Sequence, residues 1–64
     1  MMTIQECRHK SKYSVGVMAD MMGIPESKYV KMENYQIPMS ISDGVKISQI
    51  TNTNINDIFF YNPD

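Results

Sequence analysis

The sequence predicts an all-α domain of five short helices, and three observations lead there. Apolar residues recur at helical spacing in one segment after another, as at Val15, Met18 and Met22, and no stretch alternates with the period of a strand. Residues suited to helix ends are frequent: Ser14, Ser40 and Asn54 can cap helix starts, Gly23 can end a helix, and Pro25 can open one. From residue 13 to residue 35 the chain reads Y-S-V-G-V-M-A-D-M-M-G-I-P-E-S-K-Y-V-K-M-E-N-Y, with Ala19 four positions before Gly23. That is the cadence of a helix-turn-helix. A small side chain lets a second helix approach closely, and glycine supplies the left-handed backbone position that ends the first.

The first helix is predicted over residues 3–11, with Ile4, Cys7 and Ser11 on one face and the basic residues elsewhere. The second begins behind Ser14 and stops at Gly23. Pro25 opens the third at or next to its first position, where a missing N–H costs nothing. That helix runs to Glu33 or Asn34, and a loop over residues 35–39 follows, punctuated by Pro38. The fourth starts near Ser40, which with Asp43 resembles a capping box; its apolar face is Ile41, Val45, Ile47 and Ile50. Asn54 caps the fifth, with Asp57 three residues on, and Ile55, Ile58 and Phe59 are expected to point inward. Neighbouring residues on a helix point about 100° apart, which leaves Phe60 and Tyr61 beyond what one small core requires.

A chain of 64 residues makes one domain, with its core expected over residues 3–60, near the lower size limit for folding without a metal or a disulfide. The single Cys7 cannot form an intrachain disulfide and is expected to face the core, and His9 is the only histidine, so no metal or cofactor is expected. No apolar run approaches the ~18 residues of a membrane span, and the expected location is cytoplasmic. Six Lys and Arg stand against seven Asp and Glu, a formal net charge of −1. The charge is unevenly spread. Residues 1–36 hold Arg8, Lys10, Lys12, Lys28 and Lys31 against Glu6, Asp20, Glu26 and Glu33; residues 37–64 hold Lys46 against Asp43, Asp57 and Asp64. The helix-turn-helix half is the positive pole, a balance that suits modest and salt-sensitive binding to nucleic acid.

In order and spacing, these pieces resemble the Cro/CI-type (XRE) helix-turn-helix family of phage repressors and bacterial regulators. The resemblance spans residues 4–59: Ile4-x-x-x-Arg8, Ser14, Met18-Ala19-x-x-Met22-Gly23-Ile24, Tyr29-x-x-Met32-Glu33-Asn34, Pro38, Ile41-x-x-x-Val45-x-Ile47 and Asn54-Ile55-x-Asp57-Ile58-Phe59. It implies a five-helix lambda-repressor-like bundle whose third helix is the recognition helix, and a transcriptional regulator that binds an operator in double-stranded DNA as a homodimer. Glu26, Ser27 and Lys28 would then face base edges, with Lys31 one turn on. Ser14, and Asn34 with Gln36, would approach phosphates. The physical chemistry agrees, since capped helix starts present N–H groups to phosphates and Lys and Ser reach oxygens and groove edges. The resemblance also pairs Arg8 with Glu33 as a structural ion pair, the alternative being Arg8 as a phosphate contact. Family members often dimerise near the C-terminal end, which points to Phe60 and Tyr61.

The chain departs from the family at three places. Val15 stands where Gln is frequent; it can meet a thymine methyl but cannot hydrogen-bond. Glu26 replaces a common neutral amide, and has two readings: acceptor for cytosine N4, or complement to a positive helix start. Tyr35 replaces the usual glycine, so Asn34 is expected to take the left-handed conformation.

Met18, Met21, Met22, Met32 and Met39 follow helix faces and are expected to pack the core. The run Arg8-His9-Lys10-Ser11-Lys12 is either a solvated face or a patch near the DNA backbone. No nucleophile–base set is visible, so an enzyme is not expected, nor a small-molecule ligand or a membrane partner. The rival function is a protein-interaction module, antirepressor-like or antitoxin-like, that kept the fold while losing DNA affinity.

Overall fold

A computed structural model describes residues 1–60. Four α-helices follow one another: α1 (Ile4–Ser11), α2 (Val15–Met22), α3 (Glu26–Glu33) and α4 (Ile41–Ile50). A 3-10 turn, Ile55–Asp57, closes the described part. No strand occurs among the described residues, though Met2 and Ile58 form one isolated parallel bridge. Nor, among them, is any helix long and apolar enough to cross a membrane.

The helix ends lie where their chemistry directs. Thr3 caps α1 and Ser40 caps α4, each in a capping box, with Glu6 and Asp43 as the reciprocal acids. Ser14 Oγ accepts the Val17 N–H at 3.1 Å to cap α2, and Gly23 ends that helix with φ +70°. The core is built from Ile4 and Cys7 of α1, Met18, Ala19 and Met22 of α2, Tyr29 and Met32 of α3, Ile47 of α4, and Ile58. Helix α2 sits centrally and packs on both α3 and α4. Burial also pushes the Cys7 thiol above its ordinary pKa, so at neutral pH it stays a protonated, inert core group.

Several expectations are corrected. The fifth helix is only the 3-10 turn, because the chain straightens at Ile58 to meet the N-terminal segment. Met2 donates to the Asp57 carbonyl and Phe59 donates to the Met2 carbonyl, both at 2.7 Å. Straightening turns Phe59 outward: it is 46% exposed and stacks edge-on against Tyr35, ring centres 5.3 Å apart. Ile55 is exposed too. On α4 the buried line runs through Gly44, Ile47 and Thr51, so Ile41, at 85% exposure, and Val45 lie off the core. Met21 likewise lies off the buried stripe of α2, while Met18, Met22 and Met32 are fully packed. The left-handed residue after α3 is Tyr35, φ 58°, and Asn34 stays at φ −88°.

Candidate nucleic-acid interface

The candidate face begins with what holds α3 in place. Arg8 Nε of α1 donates to Glu33 Oε1 of α3 at 2.7 Å, and a second nitrogen reaches Glu33 Oε2 at 3.3 Å. The same guanidinium donates to the Tyr13 carbonyl at 3.1 Å, and the Tyr29 hydroxyl donates to Glu33 Oε1 at 3.0 Å. The Arg8 and Glu33 side chains are only 11% and 7% exposed, so the pair is largely out of water. Its partner carboxylate raises the arginine pKa further. Desolvation, and after it the charge of Glu33, raises that of Tyr29. The expected structural pair is thus formed, and α1 is fastened to the last turn of α3.

The turn Gly23-Ile24-Pro25 then sets how α3 leaves α2. Pro25 occupies the cap position of α3 with φ −62°, and no side chain caps this helix. Helix α3 therefore starts with backbone N–H groups that its own first turn cannot satisfy. On its surface Glu26, Ser27, Lys28 and Lys31 are exposed, as are Ser14 before α2 and Asn34 and Gln36 after α3. The starts of α2 and α3 adjoin: a Cβ built on Gly16 would lie 3.3 Å from Glu26 Oε2 and 4.0 Å from Ser14 Oγ. Seven of the eight expected contact residues are thus on the surface, and Ser14 and Glu26 lie together.

Val15 is the exception. It is half-buried and packs against the core, and Val17 is the exposed apolar residue of that turn. A thymine methyl would therefore meet Val17 more readily than Val15. The basic run of α1 divides as well. Arg8 is engaged by Glu33, and Lys10 Nζ donates to Thr53 Oγ1 at 2.6 Å; His9 and Lys12 are exposed. Phe60 is half-buried, its ring against Gly44 of α4, and Tyr61 lies outside the described residues.

Two residues matter here that the sequence reading did not single out. Tyr29 adds a third hydrogen bond to Glu33, for which the i, i+4 spacing on one helix was the available signal. Gly16 carries no such signal, since what lies against it, Glu26 Oε2, comes from α3. Among the described residues no cluster of His, Cys, Asp or Glu could hold a metal ion. Comparison with known protein families, with curated proteins and with solved structures finds no match to this chain.

Proposed function

We propose that this protein is a small DNA-binding transcriptional regulator of the Cro/repressor type, acting in the cytoplasm. Its plan is the lambda-repressor-like one, with the fifth helix shortened to a 3-10 turn. The observation that carries the reading is the exposed row Ser27, Lys28 and Lys31 on α3, beside the Ser14-capped start of α2, on a helix clamped from behind by Arg8–Glu33. In this reading α3 enters the major groove. Lys28 and Ser27 meet base edges, while Ser14, Asn34 and Gln36 meet phosphates.

A single module of this kind covers only ~600–1,000 Å² on DNA, too little for tight binding with so few cations. The operator is therefore bound by a symmetric dimer, with half-sites about one helical turn apart. Phe60 and Tyr61 are assigned to the dimer contact. The half-buried seat of Phe60 against Gly44 gives that residue a second role in closing the core over α4.

A second reading has its own support. Ile41, Ile55 and Phe60, with Met39 and Gly44, line an apolar cavity of about 370 Å³. With the overall negative charge, this suits a module that binds protein in place of DNA. Titration of a duplex of unrelated sequence at low and moderate salt separates the two. Salt-sensitive binding supports the regulator, and its absence at low salt moves the assignment to the protein-binding module.

A further inference from the structure

Tyr35 takes a backbone conformation that is unfavourable for an aromatic residue, and its side chain supplies the reason. Its φ is 58°, in the left-handed region that glycine or asparagine enters more readily. The turn after α3 needs that conformation: the Tyr35 N–H donates to the Met32 carbonyl at 3.1 Å, and the Gln36 N–H to the Lys31 carbonyl at 2.8 Å. The half-buried ring packs on the core, and the hydroxyl joins two distant segments. It accepts from the Ile4 N–H at 3.1 Å and donates to the Phe59 carbonyl at 2.8 Å, while the ring meets that of Phe59 edge-on. The residues on either side, Asn34 and Gln36, are exposed. One inward side chain thus stands between the two outward ones assigned to phosphates, and it ends on the segment that leads into Phe60.

We infer that Tyr35 is a positioning residue that couples the end of α3 to the C-terminal segment: phosphates held by Asn34 and Gln36 fix its tie to Ile4 and Phe59, and the tie in turn presents Asn34 and Gln36 to the DNA backbone. The inference rests on the DNA-binding reading. A contact that fixes the chain on both sides of Tyr35 removes the route by which the residue would leave its left-handed conformation and release the hydroxyl. Strained conformations persist where their surroundings over-determine them, and DNA adds to those surroundings. Ordering the C-terminal segment in this way lowers the entropy that a second copy must overcome at Phe60, so DNA binding and pairing favour each other. Linkage makes the effect reciprocal. The factor by which DNA favours the closed tie is the factor by which the tie favours DNA.

Amide exchange followed by NMR, with and without a duplex of unrelated sequence at low salt, tests this. The reporter is the Phe59 N–H, which bonds the Met2 carbonyl and not Tyr35 itself; the reference is the Thr51 N–H, which bonds the Ile47 carbonyl and reports stabilisation of the whole fold. In the wild type the duplex should slow exchange at Phe59 by at least about fivefold more than at Thr51. In Tyr35→Phe that excess should vanish, although Ser27 and Lys28 still shift on binding, and the variant should bind the duplex more weakly by the same factor. A tyrosine that merely stiffens the junction would change exchange in the free protein and leave the DNA-induced excess as it was. Should Tyr35→Phe fail to fold, Asn34→Ala with Gln36→Ala changes the surface alone, leaves the tie intact and should erase the excess in the same way. Equal slowing at Phe59 and Thr51 in the wild type, or an excess that survives either change, would overturn the inference and leave the DNA-binding reading standing. Failure of the wild type to bind any duplex would overturn both.

Discussion

Replacing Arg8 with Met removes one half of a pair that water barely reaches. The Arg8 and Glu33 side chains are 11% and 7% exposed, so solvent screens the lost attraction little. Glu33 keeps the Tyr29 hydroxyl as a donor and loses both guanidinium contacts, at 2.7 and 3.3 Å. The Tyr13 carbonyl loses its donor as well. Breaking a buried pair from one side costs ~3–5 kcal/mol, because a charge is left unpaired in a poor solvent for it. A chain of 64 residues has a total stability of only ~3–10 kcal/mol. The variant should therefore be largely unfolded at 37 °C, or melt roughly 15–30 °C below the wild type. The assay is thermal and urea unfolding followed by circular dichroism. Arg8→Met combined with Glu33→Gln should recover a substantial part of the loss, since Gln still accepts from Tyr29 and carries no charge. A single variant that melts like the wild type yet loses DNA binding would refute the reasoning and make Arg8 a phosphate contact.

Three further outcomes are expected. Lys28→Ala and Lys31→Ala should leave melting within about 0.5 kcal/mol of wild type, being surface changes, and weaken DNA binding; a phosphate contact lowers the salt slope by about one unit, whereas a base contact relaxes preference at one position. Tyr29, whose folded pKa is raised by burial, contributes stability that is fully present below its unfolded value near 10. As pH rises beyond that, the unfolded chain releases the proton and the folded one does not, so stability should fall by about 1.4 kcal/mol per pH unit, and Tyr29→Phe should remove that part of the slope in urea titrations. Tyr35→Phe deletes a hydroxyl that accepts from the Ile4 N–H at 3.1 Å and donates to the Phe59 carbonyl at 2.8 Å; a loss of ~1–3 kcal/mol and faster amide exchange at Ile4 are expected, and unchanged exchange there would count against the tie.

What the sequence made legible was what local chemistry decides. Ser14, Gly23, Pro25 and Ser40 each answer a need within their own turn, and the helix ends fall at them. Arg8–Glu33, 25 positions apart, was reachable only through the family resemblance. The C-terminal region was misread because its conformation is decided at long range. Nothing near Asn54 announces that Ile58 and Phe59 will pair with Met2, yet that pairing shortens the fifth element and turns Phe59 outward. Tyr35 shows a similar override. A left-handed residue there favours glycine or asparagine locally, but the Tyr35 hydroxyl ties the start of α1 to the C-terminal segment, and a local strain of order 1 kcal/mol is outweighed.

Charge bookkeeping at single-residue level sharpens the expected behaviour on DNA. Among the described residues Arg8–Glu33 is the one ion pair, and Lys10 is held by Thr53, so the five cations of the positive half overstate how many can meet a phosphate. Lys12, Lys28 and Lys31 are exposed, as is Lys10, whose ammonium is held by Thr53. With about three cations engaged per copy, log affinity should fall with log salt at a slope near −3, and a fourfold rise in salt should weaken one copy about 40-fold. On the proposed DNA-binding reading, one such module would not hold an operator alone at cellular ionic strength. Two copies on adjacent half-sites double the slope and raise affinity through the linked second contact. A measured slope near −3 with no steepening on a palindromic duplex would mean that the copies bind independently, and would remove Phe60 and Tyr61 from the interface assigned to them. A slope near zero would mean that the lysines of α3 face something other than phosphate, and the apolar cavity beside Ile41 and Ile55 would become the better guide to the partner.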